Sequence, residues 1–83
     1  MKVLYFAWLR TKIGCAEEEI SLPENVKTVS DVLDLLRTKG DAYVEALGED
    51  KVIRVAVNQD YAPLDHPVKQ DDEFAIFPPV TGG

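Results

Sequence analysis

Three groups in this 83-residue chain stand out as capable of chemistry: the carboxylate of the closing pair Gly82 and Gly83, the single thiol of Cys15 and the single imidazole of His66. The carboxylate ends the run FPPVTGG, Phe77 to Gly83. A carboxylate is a poor electrophile, but a partner using ATP could convert it to an acyl adenylate, open to attack by sulfur or an amine. The residues before it suit delivery into a narrow channel. Gly82 and Gly83 carry no side chains and reach backbone angles closed to other residues. Pro78 and Pro79 favour a stiff polyproline-like segment, and with Val80 and Thr81 they set the tail's reach. The six residue steps from Phe77 to Gly83 span about 20 Å when extended.

Cys15 and His66 offer less. A thiol needs a base within hydrogen-bond reach to act as a nucleophile, and nothing in the pattern brings the two together. Cys15 beside Gly14 reads as a small residue in a hairpin turn, and His66 between Asp65 and Pro67 as a solvated loop residue. One Cys and one His fall short of the ligands that zinc takes, so no metal site is expected.

Fifteen acidic against nine basic residues give a formal charge of -6, which repels phosphate backbones and anionic membranes, so neither nucleic acid nor membrane is expected as a partner. The apolar run from Val3 to Leu9 is far shorter than the roughly 20 residues a bilayer needs. No segment resembles a secretory signal, and a lone cysteine suits a reducing cytoplasm. A chain of this length can form one core but cannot enclose a deep cleft of its own, so catalysis by the chain alone is not expected.

The elements that must hold the tail follow from the pattern of the rest. Lys2 to Leu9 is β-rich and apolar on both parities, with Val3, Tyr5, Ala7 and Leu9 on one and Leu4, Phe6 and Trp8 on the other. Gly14 predicts a turn, and Glu17 to Leu22 the returning strand of a hairpin, stopped by Pro23. The acidic run Glu17 to Glu19 reads as a solvated strand edge. Thr28 offers an N-cap oxygen with Asp31 three residues on, and Val29, Val32, Leu33 and Leu36 have helical spacing. Gly40 is expected at that helix's left-handed C-cap. Asp41 to Leu47 predicts a second, shorter helical turn closed by Gly48. Val52 to Asn58 alternates, with Ile53, Val55 and Val57 inward. Asn58 to Pro63 is a turn and an irregular edge, Gln70 to Asp72 another turn. Glu73 to Phe77 is the last strand, its end fixed by Pro78 and Pro79.

The order predicts one α+β domain over residues 1–83, a sheet with its main helix across one face, and residues 78–83 as a projecting tail, mobile when free. With Val3, Tyr5 and Ala7 against the helix, pleat alternation sends Leu4, Phe6, Trp8 and Arg10 to the other face, joined by Ala75 and Phe77. An apolar patch there marks a protein partner, unless a loop or the second short helix covers it.

The element order and terminal diglycine resemble the ubiquitin-like β-grasp proteins, with their mixed sheet. FPPVTGG in particular is similar to the ending of the small, sulfur-carrier subunits of molybdopterin synthases. Supporting stretches are KVLYFAWLR at the start, VAVN at 55–58, DHP at 65–67 and the closing DEFAIFPPVTGG. One departure is Asp71, where the family often has Gly, so that turn is expected to hold an Asp in a conformation glycine usually takes.

The resemblance implies a cycle. An adenylating enzyme of the ubiquitin-activating type would spend ATP to adenylate the Gly83 carboxyl group, and a sulfur donor protein would convert it to a thiocarboxylate. The carrier would dock on the large synthase subunit, in a heterotetramer, and give its sulfur to cyclic pyranopterin monophosphate. The large subunit would perform the acid–base work; this chain would bind no cofactor. By position, Phe6, Arg10, Tyr61 and Phe77 fall at the implied synthase interface. A thiamine-type sulfur carrier, a modifier that attaches itself to lysines and a binding module with an incidental tail are the alternatives. The PPVTGG ending and the outer aromatic patch favour the first assignment.

Overall fold

Helix α2 (Val29–Arg37) forms where its end signals are strongest. Thr28 Oγ1 accepts from the Asp31 N–H at 3.3 Å and the Asp31 carboxylate accepts from the Thr28 N–H at 3.2 Å, which completes a capping box. That carboxylate also accepts from the Lys27 N–H at 3.0 Å. The Lys27 bond first, and then those from Thr28, hold the Asp31 carboxyl below the usual range. Val29, Val32, Leu33 and Leu36 bury one stripe of the helix. Its C-terminus departs from expectation. Thr38, in a right-handed conformation, is the cap, and its hydroxyl donates to the Leu35 carbonyl. With that carbonyl satisfied no left-handed residue is needed, and Gly40 serves as the N-cap of α3 (Asp41–Leu47) instead.

The computed structural model describes residues 1–48 and 50–79. Five strands, β1 (Lys2–Tyr5), β2 (Glu17–Glu19), β3 (Arg54–Val57), β4 (Asp60–Tyr61) and β5 (Glu73–Phe77), form one mixed sheet in the order β2-β1-β5-β3-β4. Strands β1 and β5 pair in parallel, with Val3 opposite Phe74 and Tyr5 opposite Ile76; the other pairings are antiparallel. Val3, Tyr5, Val55, Val57, Phe74 and Ile76 point to one side and close a core with the buried stripe of α2 and with Ala46 and Leu47 of α3. Val55 and Val57 are thus inward as predicted, and Phe74 and Ile76 alternate with the outward Ala75 and Phe77; Ile53, also predicted inward, precedes β3 and packs only partly buried against the core.

The first strand is shorter than its apolar run suggests. It ends at Tyr5, and Trp8–Ile13 forms helix α1 between β1 and β2. Leu9 and Ile13, one helical turn apart, pack into the core, so the apolar residues after Phe6 serve a helix rather than a second strand face. Ala7 makes the change of direction at φ 56, ψ -135, a backbone region that costs a non-glycine residue about 1–3 kcal/mol. Gly14 ends α1 at φ 97, its N–H donating to the Arg10 carbonyl at 2.8 Å, which is where glycine's left-handed freedom is needed.

Two turns fix the far end of the sheet. Asn58 (φ 52) and Gln59 (φ 74) join β3 to β4 with the paired positive φ angles that match strand twist. The Asn58 amide donates to the Asp72 carboxylate and accepts from the Glu73 N–H, each at 2.9 Å, which ties this hairpin to the start of β5. Asp72 is buried and also accepts from the Lys69 N–H at 2.8 Å. Burial raises its carboxyl, but the Asn58 and Lys69 bonds outweigh that and leave it below the usual range. Asp71 is not among the residues with positive φ. The expectation of a glycine-like Asp71 is therefore wrong: Asp72, accepting from Lys69 N–H, closes the turn with ordinary backbone angles.

Glu18 contradicts its assignment to a solvated edge. It lies opposite Val3, on the helix side of β2, while Glu17 and Glu19 face outward. Its carboxylate accepts from the Tyr5 and Tyr43 hydroxyls, each at 2.8 Å, and meets Lys39 Nζ at 3.1 Å. Tyr5 is buried and stacks edge-on against Tyr43 with ring centroids 6.4 Å apart, so its hydroxyl needs an internal acceptor. Burial raises the Glu18 carboxyl, but the hydrogen bonds from Tyr43, Tyr5 and Lys39 outweigh it, and the group sits below its ordinary value of 4.5. The Tyr43 phenol is pushed up to about 12 by burial and then by Glu18, and Tyr5 is pushed up further for the same reasons.

Replacing Glu18 by Ala leaves the Tyr5 hydroxyl without its acceptor and is expected to cost about 1–3 kcal/mol in urea unfolding, with Glu18→Gln costing less. The Glu18 contribution is complete above pH 4.5 and is lost as pH falls through the lower folded value. Unfolding of Glu18→Gln should therefore lack that part of the acid dependence; an unchanged acid profile would remove Glu18 from this role.

Candidate functional site

Pleat alternation gives the other side of the sheet a separate character. At the end where β1 and β5 begin it carries Lys2, Glu19 and Glu73, with Lys2 paired to Glu17 at 3.3 Å. Across the middle run Leu4, Ala75, Ala56 and Tyr61, successive partners in the register. At the end where β5 finishes, Phe77 lies opposite Arg54. Phe6 follows directly on β1, with its N–H donating to the Ile76 carbonyl at 3.1 Å. Polarity therefore falls along the strands toward the root of the tail.

Phe77 and Tyr61 form a tilted aromatic pair with centroids 5.6 Å apart. Beside them Arg54, Ala62, Pro63 and Pro79 complete an open groove of about 500 Å³. Tyr61 is 77% exposed and Phe6 47%, so the aromatic surface lies open to a partner. Helix α3 does not cover it: α3 packs with α1 and α2 on the opposite side of the sheet, where Lys12 and Glu45 pair at 2.9 Å.

Of the four interface residues predicted, the structure brings Tyr61 and Phe77 together and leaves Phe6 exposed one strand away. Arg10 does not follow the pleat argument that sent it to this face. It is exposed on α1, because the strand has ended before it. Trp8 likewise leaves the sheet face and lies with Lys12 and Val44 on the helical layer. Arg54 also lines the groove, and its outward parity is visible in the alternation of VIRVAVN. Pro78 and Pro79 are half-buried at the groove. The assignments to Val80, Thr81, Gly82 and Gly83, and the expected mobility of the tail, lie outside the described residues.

The remaining candidates sit elsewhere. Cys15 packs against the core with its Sγ 3.9 Å from Glu18, and burial followed by Glu18 pushes its thiol up. His66 is in the loop before Pro67, near Asn58 and Asp72, at a different end of the molecule. No cluster of His, Cys, Asp and Glu able to hold a metal occurs among the described residues, and no helix there is long and apolar enough to cross a membrane.

A mixed sheet with helices across one face, and a last strand at its centre running out into Pro-Pro, is the ubiquitin-like β-grasp arrangement. The chain belongs to the ThiS family, whose model matches residues 3–83. It is 43% identical to the molybdopterin synthase sulfur carrier subunit of Haemophilus influenzae, over all of this chain and 99% of that one. It is 37% identical to the protein of the same name from Escherichia coli, with the same coverage. Among solved structures it resembles SAMP1 of Haloferax volcanii, a small archaeal modifier protein, with TM-score 0.77, 30% identity and coverage of 100% and 98%.

The Tyr61–Phe77 contact should be measurable apart from any partner. A double-mutant cycle with Tyr61→Ala and Phe77→Ala, read by urea unfolding, is expected to give a coupling of about 0.5–1.5 kcal/mol. A coupling of zero would mean that the rings do not meet in solution.

Proposed function

We propose that this chain is the sulfur carrier of a molybdopterin synthase and that the Gly83 carboxyl group is its reactive atom set. The observation that carries the proposal is the placement of the tail root: central strand β5 delivers Pro78 and Pro79 beside an exposed aromatic groove, followed in sequence by VTGG. Relatives matched over their whole length bear the name of that carrier, which supports the assignment.

An adenylating enzyme of the ubiquitin-activating type binds the outer face and takes the tail into its ATP site. A Gly83 carboxylate oxygen attacks the α-phosphorus of ATP and pyrophosphate leaves. Sulfide-level sulfur released by a donor protein then attacks the carbonyl carbon, AMP leaves as its oxygen's bond to that carbon breaks, and the thiocarboxylate results with no change of oxidation state. The loaded carrier docks on the large synthase subunit through Phe6, Tyr61 and Phe77, with Arg10 at the margin. Gly82 and Gly83 pass the channel, and Pro78 to Thr81 fix how far the terminus reaches. The sulfur goes to cyclic pyranopterin monophosphate, while residues of the large subunit perform the acid–base steps. The chain acts as a tethered cosubstrate in the cytoplasm, part of a heterotetramer, and ATP is bound by its activating partner alone.

The likeness to SAMP1 favours a second reading, a modifier whose activated terminus is taken by lysine amines. Mass spectrometry of the protein from its own cells separates the two. A carrier shows partial replacement of one terminal oxygen by sulfur, and a modifier shows isopeptide adducts on other proteins. Deleting Gly83 is expected to abolish molybdopterin formation while leaving the thermal midpoint unchanged. Retained synthesis would falsify the proposal.

A further inference from the structure

Arg54 is a cation in apolar surroundings. It sits opposite Phe77 across the β3–β5 pairing and lines the groove with Tyr61, Pro63 and Pro79. The five ion pairs among the described residues engage the Met1 amine, Lys2, Lys12, Arg37 and Lys39, and Arg54 is in none of them. Among the described residues its side chain makes one marginal bond, from Nη1 to the Ile53 carbonyl at 3.4 Å, and its guanidinium is not stacked on an aromatic ring. The other cations without an ion pair among the described residues lie off this surface: Arg10 is on α1, and Lys27, Lys51 and Lys69 are in connections between elements. The other cation of the outer sheet face, Lys2, is matched by Glu17 at the end away from the tail.

In a chain with fifteen acidic residues an arginine could readily have been matched on the same sheet. Here its neighbours are aromatic, proline and alanine side chains. A partner that covers Phe77 and Tyr61 must also take the Arg54 guanidinium out of water. That is tolerable only if the partner supplies acceptors, and a carboxylate matches the planar fork of an arginine with two parallel hydrogen bonds. Charges placed inside an apolar contact discriminate between partners more than they add affinity, since a partner without the carboxylate leaves the cation stranded.

We propose that Arg54 is a specificity-determining residue of the docking face, received by an Asp or Glu carboxylate that the large synthase subunit presents within an apolar patch. This rests on the sulfur-carrier function proposed above and adds to it the chemistry of the partner surface. Phe77 and Tyr61 provide the apolar contact next to the tail. Arg54 fixes the register in which the partner sits, and so the direction in which the tail enters.

The test measures binding of the full chain to the purified large subunit by calorimetry at several salt concentrations. Arg54→Gln is expected to weaken binding about thirtyfold or more and to flatten its salt dependence, with the thermal midpoint of the free chain unchanged. Arg54→Lys should recover part of the loss, because the charge remains while the fork is gone. Arg54→Glu should bind least, and reversing one acidic residue of the large subunit to Arg should restore it. Wild-type affinity in Arg54→Gln, or the absence of any rescuing charge reversal, would overturn the assignment of Arg54 while leaving the carrier function intact. Failure of the unaltered chain to bind the large subunit at all would remove the carrier function and this inference together.

Discussion

The parallel pairing of β1 with β5 is the constraint from which the rest of the molecule follows. It joins the first and last strands at the centre of the sheet, so the two ends of the sequence are held by the same ladder of hydrogen bonds. Parallel neighbours cannot be linked by a tight turn and need a long crossover; here everything between residues 5 and 73 serves as that connection, with α2 and α3 spanning the helical side. Because both strands run the same way, both finish at the same edge. Phe6 and Phe77 emerge there together, and the tail leaves from the most firmly held strand in the sheet.

Much of this was legible in the sequence, and the misses have physical causes. Helix α2 could be read because its capping box, apolar stripe and first-turn acid agree with one another. Strands β3 and β5 could be read because a period of two allows only one inward set. The run from Val3 to Leu9 misled because its residues are apolar on both parities, and a strand buried on two faces looks the same as a strand followed by a short buried helix. What separates them is a single backbone feature, the positive φ at Ala7, which alanine does not advertise. Gly14 signals a chain reversal, but not the helix that it caps.

The Glu18 cluster was hidden for a different reason. An acidic triplet on a short edge strand ordinarily faces water, and composition alone favours that. The inward turn of Glu18 depends on two phenols, Tyr5 and Tyr43, that lie far apart in sequence and need an acceptor in the same place. Neither residue signals this locally. Such polar satisfaction is a property of the assembled core. Arg54 is the opposite case: its outward position is plain from alternation, but the apolar groove around it exists only when β5 and β4 are placed on either side of β3.

Strand alternation also divides the molecule's tasks between the two faces of one sheet. On the helix side the apolar residues are closed over by three helices, and the Glu18 carboxylate among them is engaged by Tyr5, Tyr43 and Lys39, so that face is finished once the chain has folded. On the other side Tyr61 stays exposed beside Phe77 and Arg54 has no ion pair among the described residues, which is the character of the docking face proposed above. Successive residues of the same strand serve the two faces: Ile76 packs the core and Phe77 lines the outer groove; Val55 packs the core and Arg54 lines that groove. Since the side chains point in opposite directions, changes on the outer face can alter recognition without loosening the core. The proposed delivery of the tail draws on the same arrangement, because a last strand held on both sides would convert docking of the outer face into aim of the residues that follow it.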